Sequence, residues 1–156
     1  MTAEITVSVE VAAPADVVFD AAVDWDRQHE WMLGTRVRPT RAAGHGVGGA
    51  IEAVTAIGRF GFTDPMTITE WDPPRRVAML HLGRVVRGTG TFEVVALEPD
   101  RSRFVWGEQL EIPFGAVGRF GFAVLRPAFI AGVRFSLRSF ARFAEQRARD
   151  GAAIPV

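Results

Sequence analysis

The chain has 156 residues, with 18 basic and 18 acidic side chains, and 48% of its residues are hydrophobic. This length and balance are typical of one soluble globular domain and exclude a disordered chain. The absence of Cys excludes disulfides, thiolate catalysis and cysteine-ligated metal centres, and the absence of Lys and Tyr excludes Schiff-base chemistry and phenolic acids. We predict one domain over residues 1–150 and a disordered tail over 151–156. We expect a cytoplasmic protein, because the N-terminus lacks the basic segment and apolar run of a secretory signal.

Charge is unevenly distributed along the chain. Residues 1–112 carry 11 Arg and 16 acidic residues, whereas residues 113–156 carry 7 Arg and 2 acidic residues. A basic segment suits an anionic membrane or ligand, but docking on the acidic remainder of the same chain is the simpler interpretation. We expect no nucleic-acid partner. We also expect no membrane span, because Arg119, Arg126 and Arg134 interrupt the apolar stretch.

Strict alternation of apolar and polar residues over 2–11 predicts a half-buried strand. Pro14 then suits the start of a short helix that runs to about Val23, and residues 26–31 indicate a second helical turn. Six more strands are predicted near 35–42, 50–57, 62–71, 76–84, 88–97 and 102–112, and one of the turn signals along this segment is Asp64-Pro65. Such short connections favour an antiparallel meander.

A long amphipathic helix is predicted after Pro113. Its apolar face comprises Phe129, Val133, Leu137, Phe140 and Ala144. Pro127 lies inside this helix and is expected to kink or split it, because proline removes a backbone donor and clashes with the preceding turn.

Several segments together resemble a known family. They are Ala12-Ala13-Pro14 before Val17-Val18-Phe19, the Gly46-Val47-Gly48 turn, the segment from Ile68 to Arg76, Arg103-Phe104-Val105-Trp106, and the segment from Phe135 to Phe143. In these the chain is similar to the polyketide cyclase/dehydrase-like family of the START-related (SRPBCC, helix-grip) superfamily. The resemblance implies an α+β helix-grip fold, in which a seven-stranded curved antiparallel sheet wraps around a long C-terminal helix, with two short helices after the first strand.

The resemblance also implies a hydrophobic cavity between sheet and C-terminal helix. Members of the family either bind hydrophobic ligands or cyclise and dehydrate poly-β-keto chains, which requires positioning, proton transfer and exclusion of water but no cofactor. We therefore expect a hydrophobic small molecule as partner, with polyketide cyclase/dehydrase chemistry as one function. The alternatives are a noncatalytic carrier or sensor of a lipid, quinone or sterol-like molecule, and a peripheral membrane protein. No metal-binding spacing is present, since His29-Glu30 lacks a second His four residues after the first.

Two titratable residues share strand faces with large apolar side chains. By strand alternation, Glu108 lies on the same face of its predicted strand as Phe104 and Trp106, and His81 lies on the same face as Met79. If those faces point inward, the two groups could act as acid and base on a ligand, although a core His or Glu paired with its own chain is the commoner case. The expected lining of the cavity is Trp31, Met79, His81, Phe92, Trp106, Glu108, Phe122, Phe129 and Val133.

Overall fold

A computed structural model describes residues 1–152 apart from the side chain of Ile57. It confirms the predicted helix-grip architecture. The strands are β1 (Thr2–Val11), β2 (Thr35–Arg41), β3 (Ala50–Ile57), β4 (Phe60–Asp72), β5 (Arg76–Leu82), β6 (Arg87–Glu98) and β7 (Arg101–Glu111). The helices are α1 (Ala15–Ala22) and α2 (Gly115–Ala152), with short 3-10 helices at Trp25–Glu30 and Ala42–Gly44. Because α2 runs to Ala152, the first two residues of the predicted tail are helical, and residues 153–156 lie outside the described residues.

The seven strands form one antiparallel sheet in the order β1-β7-β6-β5-β4-β3-β2. Consecutive strands pair from β2 to β7, as short hairpin connections require, and β1 joins the outer edge of β7 along its whole length. The β3–β4 hairpin, the β5–β6 hairpin and the junction between β7 and α2 therefore all lie at the same end of the sheet.

The core lies between the inner face of the sheet and the helical segments. Trp31 is its centre and contacts three phenylalanines, with ring centroids 6.3 Å from Phe92, 6.4 Å from Phe104 and 4.8 Å from Phe140. These four rings are almost fully buried, so they supply a large part of the apolar area removed from water on folding.

The two halves of α2 have different surroundings. Helix α2 packs against β1 and α1, and Val133, Leu137 and Phe140 of its C-terminal half are buried. Ser136 Oγ accepts a hydrogen bond from the Leu33 backbone N–H at 3.0 Å. Most side chains of the N-terminal half are exposed, including Phe120. The buried side chains of α2 therefore lie in its C-terminal half, whereas Phe122 and Ile130 of the N-terminal half are only partly buried against the core.

Three sequence expectations differ from the structure. Asp64-Pro65 lies inside β4 and not in a turn, because this strand continues to Asp72 across the residue without a backbone donor. Helix α2 is continuous through Pro127 and is not split. By length and composition α2 is also long and apolar enough to cross a membrane, although we had expected its arginines to exclude a span.

Candidate functional site

Four polar side chains form a connected chain on the inner face of the sheet. His81 Nδ1 lies 2.6 Å from Asp64 Oδ2, and His81 Nε2 lies 3.1 Å from Glu108 Oε2. The Trp106 indole N–H donates to Glu108 Oε1 at 2.7 Å. The side chains of Asp64, His81 and Glu108 each keep a tenth or less of their surface exposed. Two carboxylates thus hold one imidazole in a largely dry environment, where electrostatic interactions are strong.

Strand alternation brings these groups together. Asp64 on β4, His81 on β5 and Glu108 on β7 all point inward, and Met66, the second residue after Asp64, pairs directly with His81. The strand β6 runs between His81 and Glu108. Its inward position at this level is Gly90, which pairs with Glu108, so no side chain separates the imidazole from the carboxylate.

The site controls the charge of His81. Burial by itself lowers the pKa of this imidazole, but hydrogen bonds and charge attraction from Asp64 and Glu108 outweigh burial and raise the pKa to about 9 from its ordinary 6.5. His81 is therefore protonated at neutral pH, and both ring N–H groups donate to carboxylates. An imidazolium between two carboxylates can release and recover a proton without leaving its place.

The carboxylates differ in how well the protein satisfies them. Within the described part of the chain, Asp64 Oδ1 is buried without a hydrogen-bond partner, next to Gly83. Both oxygens of Glu108 are hydrogen-bonded, yet Glu108 is less buried than His81 or Asp64. Glu108 is therefore the member of the cluster best placed to meet a ligand.

Most of the predicted lining residues are buried or partly buried on or beneath the inner face of the sheet. Met79, His81 and Phe92 are buried on the inner face, Trp31 and Val133 are buried beneath it, and the cluster joins His81 to Glu108 and Trp106. Phe122 is partly buried against the same core.

Phe129 is the most exposed of the predicted lining residues on α2. It is 40% exposed, whereas Phe122 and Ile130 on the same helix are partly buried against the core. Helical periodicity identified the correct side of the helix but could not show where contact with the sheet begins.

Part of the predicted cavity is filled. Around Trp31 the aromatic rings touch one another, and the ring of Trp106 lies 6.4 Å from that of Trp31. Two depressions of about 650 and 740 Å³ lie elsewhere: one borders the β4–β5 turn, and the other lies between the first 3-10 helix and the C-terminal half of α2. Neither contains a predicted lining residue. Trp106, Glu108 and Leu110 of β7, which share the inner face with the cluster, are partly buried.

Sequence reasoning missed Asp64 and Gly90. Alternation along β4 places Asp64 on the same face as the buried residues Met66 and Ile68. We did not use this pattern, because we interpreted Asp64-Pro65 as a turn. Gly88 and Gly90 share one face of a predicted strand, and glycine inside a strand indicates close approach of another group. That second signal was present in the sequence and would have pointed to the contact over β6.

No group of three or more His, Asp or Glu side chains in the described residues is arranged to hold a metal ion. In the Asp64, His81 and Glu108 cluster the imidazole lies between the carboxylates and uses both nitrogens to bind them. The donors therefore face one another and not a common ion.

Comparison with known families agrees with this architecture. Residues 2–145 match the family described as polyketide cyclase / dehydrase and lipid transport. The chain belongs to this family. No curated protein sequence matches the chain.

Solved structures similar to this polyketide cyclase/dehydrase family member share its fold at low sequence identity. The Zhui aromatase/cyclase from Streptomyces sp. R1128 has a TM-score of 0.81 and 18% identity, and the match covers 99% of this chain and 100% of that chain. A Thalictrum flavum norcoclaurine synthase point mutant has a TM-score of 0.70 and 15% identity, with 98% of each chain covered. The di-domain ARO/CYC BexL has a TM-score of 0.70 and 18% identity over 92% of this chain and 46% of its own. At such identities the likeness shows the helix-grip fold alone.

Proposed function

We propose that this protein binds a hydrophobic β-ketone-type substrate over the inner face of its sheet and catalyses cyclisation or dehydration by proton transfer at His81 and Glu108. The observation that carries the proposal is the imidazolium held between two carboxylates, 2.6 Å from Asp64 and 3.1 Å from Glu108, on an otherwise apolar surface. The family and the aromatase/cyclase names of two structural neighbours support this choice of chemistry.

The surroundings of the cluster favour a hydrophobic substrate. Met66 and Met79 flank His81 on the inner face, and Trp106 and Leu110 flank Glu108. Flat or extended apolar chains fit such a surface, while the few polar groups fix the orientation of carbonyl oxygens.

The two contacts of His81 suggest how a proton moves. The contact with Asp64 is the shorter, so this carboxylate keeps the imidazole in place while a substrate oxygen replaces Glu108 at Nε2. In a dehydration, Glu108 takes a proton from the carbon between the carbonyl and the hydroxyl-bearing carbon, a double bond forms between those two carbons, and the Nε2 proton of His81 joins the departing hydroxyl to form water. Glu108 then returns its proton to His81, which restores the starting state and balances the reaction.

The proposal is tested with a synthetic β-hydroxyketone thioester whose dehydration produces an absorbing enone. We expect His81→Gln and Glu108→Gln to lower the rate at least about a hundredfold, the usual contribution of general acid–base catalysis. The matched control is His29→Gln, which removes an exposed histidine whose only described hydrogen bond is to the Asp26 carbonyl. Equal rates for His81→Gln and the control would disprove the proposed chemistry.

A noncatalytic ligand carrier is the second candidate, and one observation favours it. Both ring nitrogens of His81 are already hydrogen-bonded within the protein, which is how a structural histidine is satisfied. In that case Glu108→Gln leaves the affinity for a fluorescent fatty acid or quinone probe unchanged, whereas Trp106→Ala weakens it, and the thioester is not dehydrated by the wild-type protein.

A further inference from the structure

The N-terminal half of α2 presents an apolar face to solvent. Val117, Phe120 and Val124 are 78%, 73% and 60% exposed, and their spacing of three and four residues places them on one face of the helix. Ala128, Ala131 and Phe135 continue the same face and are also exposed. This outward face of α2, from Val117 to Phe135, points away from the side that packs Val133 and Leu137 into the core.

Charges around the outward face of α2 are all positive. From Pro113 to Ala144 the sequence contains five arginines and no acidic residue. Arg119 and Arg126 are seven residues apart and so share the opposite side of the helix, where both are exposed. Beyond Phe135 the outward side itself becomes basic at Arg138 and Arg142. An apolar face that continues into Arg138 and Arg142 on the same side, in a segment without acidic residues, is complementary to a surface that is apolar inside and negative outside.

The hairpin tips extend this surface. The β3–β4 and β5–β6 hairpins lie at the end of the sheet from which α2 starts, and their tips also combine apolar and basic residues. Phe60 is 78% exposed beside Arg59, and Val85 is 64% exposed beside Arg84. Three separate segments thus expose large apolar side chains next to arginines at one end of the molecule, more than the single scattered hydrophobic residues of an ordinary surface.

We propose that the outward face of α2, together with these hairpin tips, binds the interface of an anionic lipid bilayer. A second copy of the chain fits the same surface less well, because this segment has no acidic residue to pair with Arg138 and Arg142 of the other copy. Binding is interfacial, since the C-terminal half of α2 stays fixed in the core by Val133, Leu137 and Phe140. Glu108 lies near the end of β7 from which α2 starts, so a hydrophobic ligand could pass between bilayer and protein.

The test is cosedimentation of the full chain with vesicles of phosphatidylcholine containing about one third phosphatidylglycerol. We expect binding at about 0.05 M salt that falls at least tenfold at about 0.5 M salt, and much weaker binding to phosphatidylcholine alone. Phe120→Glu combined with Val124→Glu should abolish binding. Arg138→Gln combined with Arg142→Gln should weaken binding to the anionic vesicles about tenfold.

The matched control is Val54→Glu combined with Val95→Glu. It adds the same charge at two exposed apolar positions on the strands β3 and β6, and it should leave vesicle binding within about twofold of wild type after allowance for the added charge. Circular dichroism checks that all variants fold. His81→Gln should bind vesicles normally, so failure of this proposal is distinguishable from failure of the proposed chemistry.

Two results would overturn the proposal. One is a wild-type protein that stays in the supernatant with anionic vesicles at low salt. The other is a dimer in sedimentation equilibrium that Phe120→Glu with Val124→Glu dissociates, without vesicle binding by the wild type, which would assign the outward face of α2 to a second copy.

Discussion

His81 of β5 and Glu108 of β7 are hydrogen-bonded at 3.1 Å although the strand β6 lies between theirs. The contact exists because Gly90 occupies the intervening inward position and contributes no side chain. The contact from β5 to β7 therefore depends on the absence of a side chain at Gly90.

We expect Gly90→Ala to disrupt this contact. An added Cβ would lie 3.0 Å from His81 Nε2 and 3.3 Å from Glu108 Oε1, and these neighbours cannot easily move because both are hydrogen-bonded. Loss of one buried charged hydrogen bond should lower the free energy of unfolding by about 1–3 kcal/mol and the pKa of His81 with it. Denaturation and NMR titration measure both effects. The control is Gly121→Ala, which meets no atom within 4 Å on α2 and should stabilise the helix by up to about 1 kcal/mol.

Stability should fall as pH rises from neutrality. The pKa of His81 is raised to about 9 in the folded state against 6.5 in the unfolded state, so between these values the folded protein holds one proton more. The stabilisation is complete below about pH 6.5 and is lost as the pH rises through 9, with an amplitude of about 3 kcal/mol. Urea denaturation across this range, with NMR titration of the His81 ring, measures it. A His81 that titrates near 6.5 would contradict the prediction.

Asp64→Asn should destabilise the protein far more than loss of a surface carboxylate. Asp64 is buried and paired with His81, and removal of one partner from a buried pair costs about 3 kcal/mol. The same substitution should lower the pKa of His81. Glu52→Gln on the neighbouring strand removes the exposed ion pair with Arg38 at 2.6 Å and should cost less than about 1 kcal/mol. If both variants lose a similar free energy of unfolding, the buried pair contributes no more to stability than the exposed one, and the prediction is wrong.

The two halves of α2 should respond differently to the same truncation. Phe140 is fully buried against Trp31 and Phe104, so Phe140→Ala should lower the free energy of unfolding by about 3–5 kcal/mol. Phe120→Ala, 73% exposed on the same helix, should change it by less than about 0.5 kcal/mol. Thermal and chemical denaturation compare the two. A large cost for Phe120 would mean that the N-terminal half of α2 packs on the protein.

Much of the fold follows from local sequence patterns. The alternation in residues 2–11 predicts β1, the short turns predict the meander, and the spacing of Val133, Leu137, Phe140 and Ala144 predicts the buried face of α2. Each of these features has a period that one element imposes on its own residues, so neighbours in sequence suffice to reveal it.

The sequence predicted two of the four residues that define the candidate site. Strand alternation identified His81 and Glu108 as inward polar residues, because it determines on which face of the sheet a side chain lies. Alternation does not determine which residues of other strands lie beside that side chain. The roles of Asp64 and Gly90 therefore became clear only from the register of four strands.

The sequence by itself determined the sheet, the long helix and the inward orientation of two titratable groups, since these depend on periodicity. Only the tertiary structure decided that His81 lies between two carboxylates, that Phe129 is outside the core and that aromatic rings fill the space around Trp31. Those properties depend on distances between residues far apart in the chain, and such distances are set by packing and not by the pattern of any single element.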